Sequence, residues 1–242
     1  MSRPQVIQED EASARNPAHL DQELKGARVW RAGGIGIFAY SLDGGLESTK
    51  NRVYNDWNAT FDAWLYGARQ RTAAFRNARQ NGWVVPLVRW ELVEEGQRIP
   101  NDAIQIGNEA NGQPLFSARV FLQGGVEVGK AGHHIGGAEI PYFGEGKHFR
   151  TFEVLVGDGS ILQWYPFHPG WADSHPGGTQ SVDGGRTGDG RAQLIARTNE
   201  FGGIQPGKYI AREDHAYVAY GGKEQRNVRN FEVLAFPNLS VR

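Results

Sequence analysis

The spacing of apolar residues in this chain changes near residue 85. Upstream, Trp57, Phe61, Trp64, Leu65, Ala68 and Phe75 recur at helical intervals and fall on one face. The pattern predicts a helix over about 55–80, with Asn55 or Asp56 capping its start and Gly82 following its end. Downstream the apolar runs are short and rich in β-branched and aromatic residues: "LFSARVFL", "AEIPYFG", "RTFEVLVG", "SILQWYPF", "AQLIART", "HAYVAYGG" and "RNFEVLAF". Gly, Pro, Asn or Asp punctuates them, so each predicts a strand. Phe116, Tyr142, Phe152, Tyr220 and Phe231 are expected to face a core. The expected fold is mainly β, preceded by a segment carrying one amphipathic helix. Residues 1–27 are polar and read as a flexible tail, and "ARVWRAGGIGIFAYSLDGG" reads as strand and turn.

The β region partly matches itself at a shift of 78 residues. Gly112 meets Gly190, Ala118-Arg119 meets Ala196-Arg197, Gly124-Gly125 meets Gly202-Gly203, and Gly129-Lys130 meets Gly207-Lys208. Tyr142 and Gly144 meet Tyr220 and Gly222, and with one inserted residue "FEVL" at 152–155 meets "FEVL" at 231–234. Two copies of so long a period predict a duplicated antiparallel β unit rather than a solenoid. The expected boundaries are a tail over 1–27, a strand and helix segment over 28–88, and β repeats over 89–160 and 161–242.

Composition narrows the function. Across 242 residues, 26 Lys and Arg face 27 Asp and Glu, giving a net charge of −1. That near balance gives no electrostatic case for nucleic acid or an anionic membrane as partner. Arg69, Arg71, Arg76 and Arg79 lie mostly off the apolar helix face and read as its solvated side. There is no cysteine, which removes disulfides, thiolate zinc sites and cysteine nucleophiles. The polar opening carries no signal peptide and no apolar run reaches spanning length, so a cytoplasmic location is expected, with unconventional release as the alternative. The sequons at Asn58 and Asn238 then carry no weight.

The repeated Gly-Lys invites a nucleotide reading, since "GGVEVGK" and "GGIQPGK" each hold most of a phosphate-binding loop. Ala131 and Tyr209 stand where the loop needs Ser or Thr, and Pro206 removes a backbone donor. The segments that follow are poor helix formers. Gly34 and Gly36 make no dinucleotide fingerprint, because Ala39 occupies the third position.

Read in order, these motifs resemble the DM-nine repeat family, found in tandem in mannose-binding bivalve lectins and in natterin-like proteins. The first copy carries "WELVEEGQRIPNDAIQIGNEANGQPLFSARVFLQGGVEVGK" and "IPYFGEGKHFRTFEVL"; the second carries "GGRTGDGRAQLIARTNEFGGIQPGK" and "YVAYGGKEQRNVRNFEVL". The resemblance covers roughly residues 90–236. It implies a lectin without catalytic residues, cofactor or metal, binding mannose-type glycans and acting in defence-related recognition.

The resemblance also implies the site. An acid two residues before the "[DN]-G" turn and the lysine of the Gly-Lys element hold the sugar, here Glu109 and Lys130. From the residues alone this pair reads first as a surface ion pair of little consequence. In the second copy Lys208 is present, the acidic position holds Thr187, and Asp189 is the nearest substitute, so that site is expected to be weaker. Both lysines are expected at solvent-facing turns. His133, beside His134, and His215 are expected to support the two sites. Adjacent strand residues point to opposite faces, so His133 and His134 are not expected to share a metal. In "LQWYPFHPGWADSHPGG", the aromatics Trp164, Tyr165, Phe167 and Trp171 read as packing between the copies. Two copies, and a homodimer if one forms, would raise avidity. The alternatives are a natterin-like defence protein without its pore module, or a metal- or carbohydrate-dependent hydrolase.

Overall fold

The computed structural model describes residues 28–32, 35–39, 60–169, 171 and 179–237. The expected tail, the proposed caps Asn55 and Asp56, Trp57 and both sequons lie outside them. Strands β1 (Arg28–Ala32) and β2 (Ile35–Ala39) pair antiparallel with each other.

Helix α1 (Phe61–Gln80) starts at Thr60, whose hydroxyl accepts from Ala63 N at 3.2 Å and so satisfies one of the helix's orphan amides. Its buried face is Trp64, Ala68 and Thr72, with Leu65 packed beside it. Phe61 is exposed and Phe75 only half-buried, so the apolar stripe is narrower than the spacing predicts. Arg69, Arg76 and Arg79 stay about half exposed, as a solvated side predicts, but all four arginines are also paired. Arg69 pairs with Glu94 at 2.6 Å, Arg71 with the fully buried Glu153 at 3.0 Å, Arg76 with Glu91 at 3.6 Å and Arg79 with Asp102 at 2.9 Å. They reach down to carboxylates on and beside the sheet, and Thr72 Oγ1 accepts from Leu92 N at 2.8 Å. The helix is thus tied to the sheet along its length by polar bonds as well as by its apolar face.

The rest is antiparallel β. The first copy contains β3 (Val88–Val93), β4 (Gln105–Asn108), β5 (Pro114–Leu122), β6 (Gly125–Gly132), β7 (Gly137–Tyr142), β8 (Glu145–Phe149) and β9 (Phe152–Gly157). A short 3-10 turn over Gly159–Ile161 leads to β10 (Gln163–Pro166), β11 (Gln180–Ser181), β12 (Asp183–Arg186), β13 (Ala192–Thr198), β14 (Gln205–Ile210), β15 (Ala216–Tyr220), β16 (Lys223–Val228) and β17 (Glu232–Phe236). Hydrogen bonding runs β13-β14-β15-β16-β8-β7-β6, and β12 pairs with both β6 and β13, which closes the path into a ring. On one side β5, β9 and β3 continue from β6; on the other, β17 and β10 continue from β13.

The two copies are related by the 78-residue shift, and they interlock. Asn108 of the first bridges Ile204 of the second, and Arg186 of the second pairs with Val126 of the first. The repeated motifs have distinct tasks here. Gly124 and Gly202 have φ near +80°, the left-handed turn region that glycine enters without strain. Gly125 and Gly203 instead admit the other copy's backbone: a Cβ would lie 2.6 Å from Arg186 O or 2.3 Å from Asn108 O. The repeated Ala-Arg and "FEVL" are cross-strand partners. Arg119 bonds Glu153 at 2.8 Å and Arg197 bonds Glu232 at 2.7 Å, and each guanidinium covers a tryptophan, Trp90 at 4.4 Å and Trp164 at 4.1 Å.

Of the expected core aromatics, Phe116, Phe152 and Phe231 are buried. Tyr142 and Tyr220 are half-buried and cover the two lysines instead. Trp171, Tyr165 and Phe167 pack within the second copy's own core, with Tyr209 and Phe231, rather than between the copies as expected; of the four, Trp164 joins a cluster that holds residues of both copies.

Candidate functional site

Neither lysine of the Gly-Lys motif lies at a solvent-facing turn. Lys130 sits within β6 and Lys208 within β14, 3% and 2% exposed. The glycine before each serves strand packing: a Cβ at Gly129 would lie 2.2 Å from Glu139 O, and at Gly207 2.1 Å from Tyr217 O. The motif draws the next strand tight, leaving room for the lysine side chain to run inward between the copies. Strand, not helix, continues past each lysine, so a phosphate loop is excluded by geometry.

Each lysine is completed by the other copy. Lys130 Nζ donates to Gln205 Oε1 at 2.9 Å and to Glu109 Oε1 at 3.3 Å, with Glu139 Oε2 at 3.6 Å. Gln205 Nε2 in turn donates to Glu109 Oε2 at 2.9 Å, and the Tyr220 ring lies 5.7 Å from Nζ. The fully buried Gln205 therefore fixes the acid and the ammonium together from across the repeat boundary. His134 Nε2 reaches Glu109 Oε1 at 3.4 Å. Glu109, Glu139 and His134 keep 21%, 26% and 24% of their side chains exposed, so they form the solvent edge above the buried lysine. Burial alone would push the Glu109 carboxyl up; the Gln205 hydrogen bond, the Lys130 charge and the His134 contact together hold it below the ordinary range. It stands ionised at neutral pH as a polar acceptor.

The second lysine lies in a different environment. Position 127 in the first copy corresponds to 205 in the second, and it holds Glu rather than Gln. Lys208 Nζ donates to Glu127 Oε2 at 2.5 Å, both side chains are about 3% exposed, and Gln193 Nε2 donates to the same oxygen at 2.7 Å. The Tyr142 and Tyr217 rings lie 5.6 and 5.9 Å from Nζ. Thr187 Oγ1 accepts from Arg191 N at 2.9 Å and donates to Asp189, and Asp189 pairs with Arg191. The structure thus unites Glu109 with Lys130 but commits Thr187 and Asp189 to their own turn.

The histidines also differ from expectation. His133 is exposed and meets the edge of Phe116 rather than the site. Its neighbour His134 takes the supporting place, because the turn after β6 brings that ring back over Glu109. His215 contacts Asp214 and Tyr217, whose phenol is pushed well up by burial and by its hydrogen bond to Glu213. Sequence reasoning missed Gln205, Glu127, Glu139, Tyr142 and Tyr220 as site residues. Gln205 and Glu127 were legible only as the variable third position before each repeated lysine. Among the described residues no group of three or more His, Asp or Glu is placed to hold a metal ion.

A family model described as "DM9 repeat" matches residues 85–149 and 129–227, which together span more than half of the chain. The crystal structure of the nematode sperm cell motility protein MFP2B is similar at 19% identity and a TM-score of 0.49, covering 62% of this chain and 47% of that one. The present chain thus spans about half the length of that protein. No curated protein matches.

Proposed function

This chain belongs to the DM9 repeat family, and from that premise we propose that it is a non-enzymatic carbohydrate-binding protein whose principal site is the Lys130 cluster. The observation that carries this is the Glu109–Gln205–Lys130 bridge, with Glu109 and Glu139 presented at its solvent edge. An ionised carboxylate accepts hydrogen bonds from two neighbouring hydroxyls, and an ammonium beneath it donates to their oxygens. Those needs fit vicinal hydroxyls of a neutral sugar, and mannose-type glycans are the expected ligand from the family resemblance. The buried Lys208–Glu127 pair fits a structural role better than a second sugar reader. Affinity for one sugar would be near millimolar, and multivalent glycans would gain from several copies.

Titration calorimetry with mannose and a branched mannoside tests this. Glu109→Gln keeps the shape and the Gln205 contact but removes the charge. Losing a charge-assisted hydrogen bond of about 1.5–3 kcal/mol weakens binding roughly ten- to a hundredfold. Chelator treatment is expected to leave binding unchanged. Parent-like affinity in Glu109→Gln and Glu139→Gln together would place the sugar elsewhere and end this assignment.

A further inference from the structure

The two halves of the molecule also differ at a matched place away from the lysines, and the difference there is a cavity. Trp90 pairs with Leu155 and Trp164 with Leu234, so the two tryptophans are equivalent in register. Likewise Asp183 pairs with Leu194 and Gln105 with Phe116, the same place in each copy. In one half the gap between these positions is closed: Trp90 is buried and its Nε1 donates to Asp183 O at 3.0 Å. In the other half, Trp164 and Gln105 both line a cavity of about 400 Å³. Gly157 and Gly159 border it, and Gly157 stands where the second copy's "FEVL" strand carries Phe236. A backbone oxygen, Leu87 O, would lie 1.9 Å from any Cβ at Gly157, so no side chain from there can fill the space.

The lining names the chemistry. Ile104, Leu162 and the half-buried Trp164 supply an apolar wall, and Asn101 and Gln105 supply exposed amides. Asp102 is the one charged residue of the lining, and Arg79 and Arg89 already hold its carboxylate at 2.9 and 3.0 Å. The one carboxylate of the lining is thus already matched by two guanidinium groups and is not a free anion that would draw a cation. The size of the cavity falls within the range of small-ligand sites. It adjoins the opposite end of β4 from Glu109, and none of its lining residues belongs to the Lys130 cluster.

We propose that this cavity is a second, independent binding site for a small neutral polyhydroxylated ring, its apolar face against Trp164 and its hydroxyls on Asn101, Gln105 and Asp102. The site does not depend on the Lys130 reading.

The test is indole N–H resonances in the full chain, with Trp164 assigned through Trp164→Phe and titrated with methyl mannopyranoside and with N-acetylglucosamine into the millimolar range. At least one probe is expected to shift the Trp164 resonance saturably, equally in the parent and in Glu109→Gln. Gln105→Trp, which fills the exposed rim with a second indole, is expected to abolish that shift with its melting temperature kept. An unmoved Trp164 resonance with both probes would overturn the proposal, as would a shift that survives Gln105→Trp. Loss of the shift in Glu109→Gln would assign it to the Lys130 cluster instead and equally overturn an independent site.

Discussion

At the scale of single residues, the exchange of Glu127 for Gln205 sets the burial of charge at the two lysines apart. Gln205 is neutral and leaves Lys130 shared among several partners; Glu127 captures Lys208 in a buried ion pair. Removing one partner of such a pair strands a charge away from water. Lys208→Met is therefore expected to cost about 3–5 kcal/mol, whereas Lys208→Met with Glu127→Gln removes the whole pair and recovers most of it. Urea unfolding of the parent, the single and the double variant measures this; a neutral single variant would contradict the pair's burial. The repeated lysines could be read in the sequence because they recur at a fixed offset from glycines; Glu109, matched by Thr187 in the second copy, was marked only by the family resemblance. The burial of the lysines could not be read. A glycine before a lysine looks alike whether it makes a turn or admits a neighbouring strand, and only the Glu139 and Tyr217 carbonyls decide between them.

At the scale of elements, the helix and its polar side were legible, and the partners of its arginines were not. Periodicity locates Trp64 and Ala68 on the buried side, since helix spacing is a local property. The partners of the arginines lie 82 residues away for Arg71 and 25 for Arg69, beyond any local pattern. The Arg71–Glu153–Arg119 cluster gives the helix a measurable response to acid. Burial would raise the Glu153 carboxyl, but Arg119 and Arg71 outweigh it and hold it below its ordinary value. A depressed carboxylate contributes stability that is complete above its unfolded value, about 4.3, and is lost as pH falls through the lower folded value. Arg71→Met withdraws one of the two charges and raises the folded value. Its acid unfolding midpoint, followed by helical circular dichroism, is expected at higher pH than the parent's. Coincident acid transitions in the two proteins would show that Arg71 does not act on Glu153.

At the scale of the whole molecule, the repeat and its strands were readable from the 78-residue register, while the closing of both copies into one ring was not. The deciding contacts are made by the short β12 and β8, of four and five residues, which cross the boundary through Arg186 with Val126 and Glu145 with Lys223. Nothing in so short a strand names its partner. Because Asn108 bonds Ile204 and Arg186 pairs with Val126, neither copy has a complete sheet of its own. Thermal unfolding is accordingly expected as one transition for the ring, with equal calorimetric and van't Hoff enthalpies. Two separated transitions for the β region would mean that the copies are independent after all.

The interlocking also sets an order of events during synthesis. Glu109 and Lys130 leave the ribosome early, yet Gln205, which fixes them, follows Glu109 by 96 residues, and Tyr220 comes later still. Contacts so distant along the chain close slowly, because the intervening chain must first be confined. Until they close, the nascent first copy exposes the backbone of β6 and the carboxylates of an unfinished pocket. A chaperone that shields strand edges would therefore matter most in the interval after the first copy has emerged and before the second is complete.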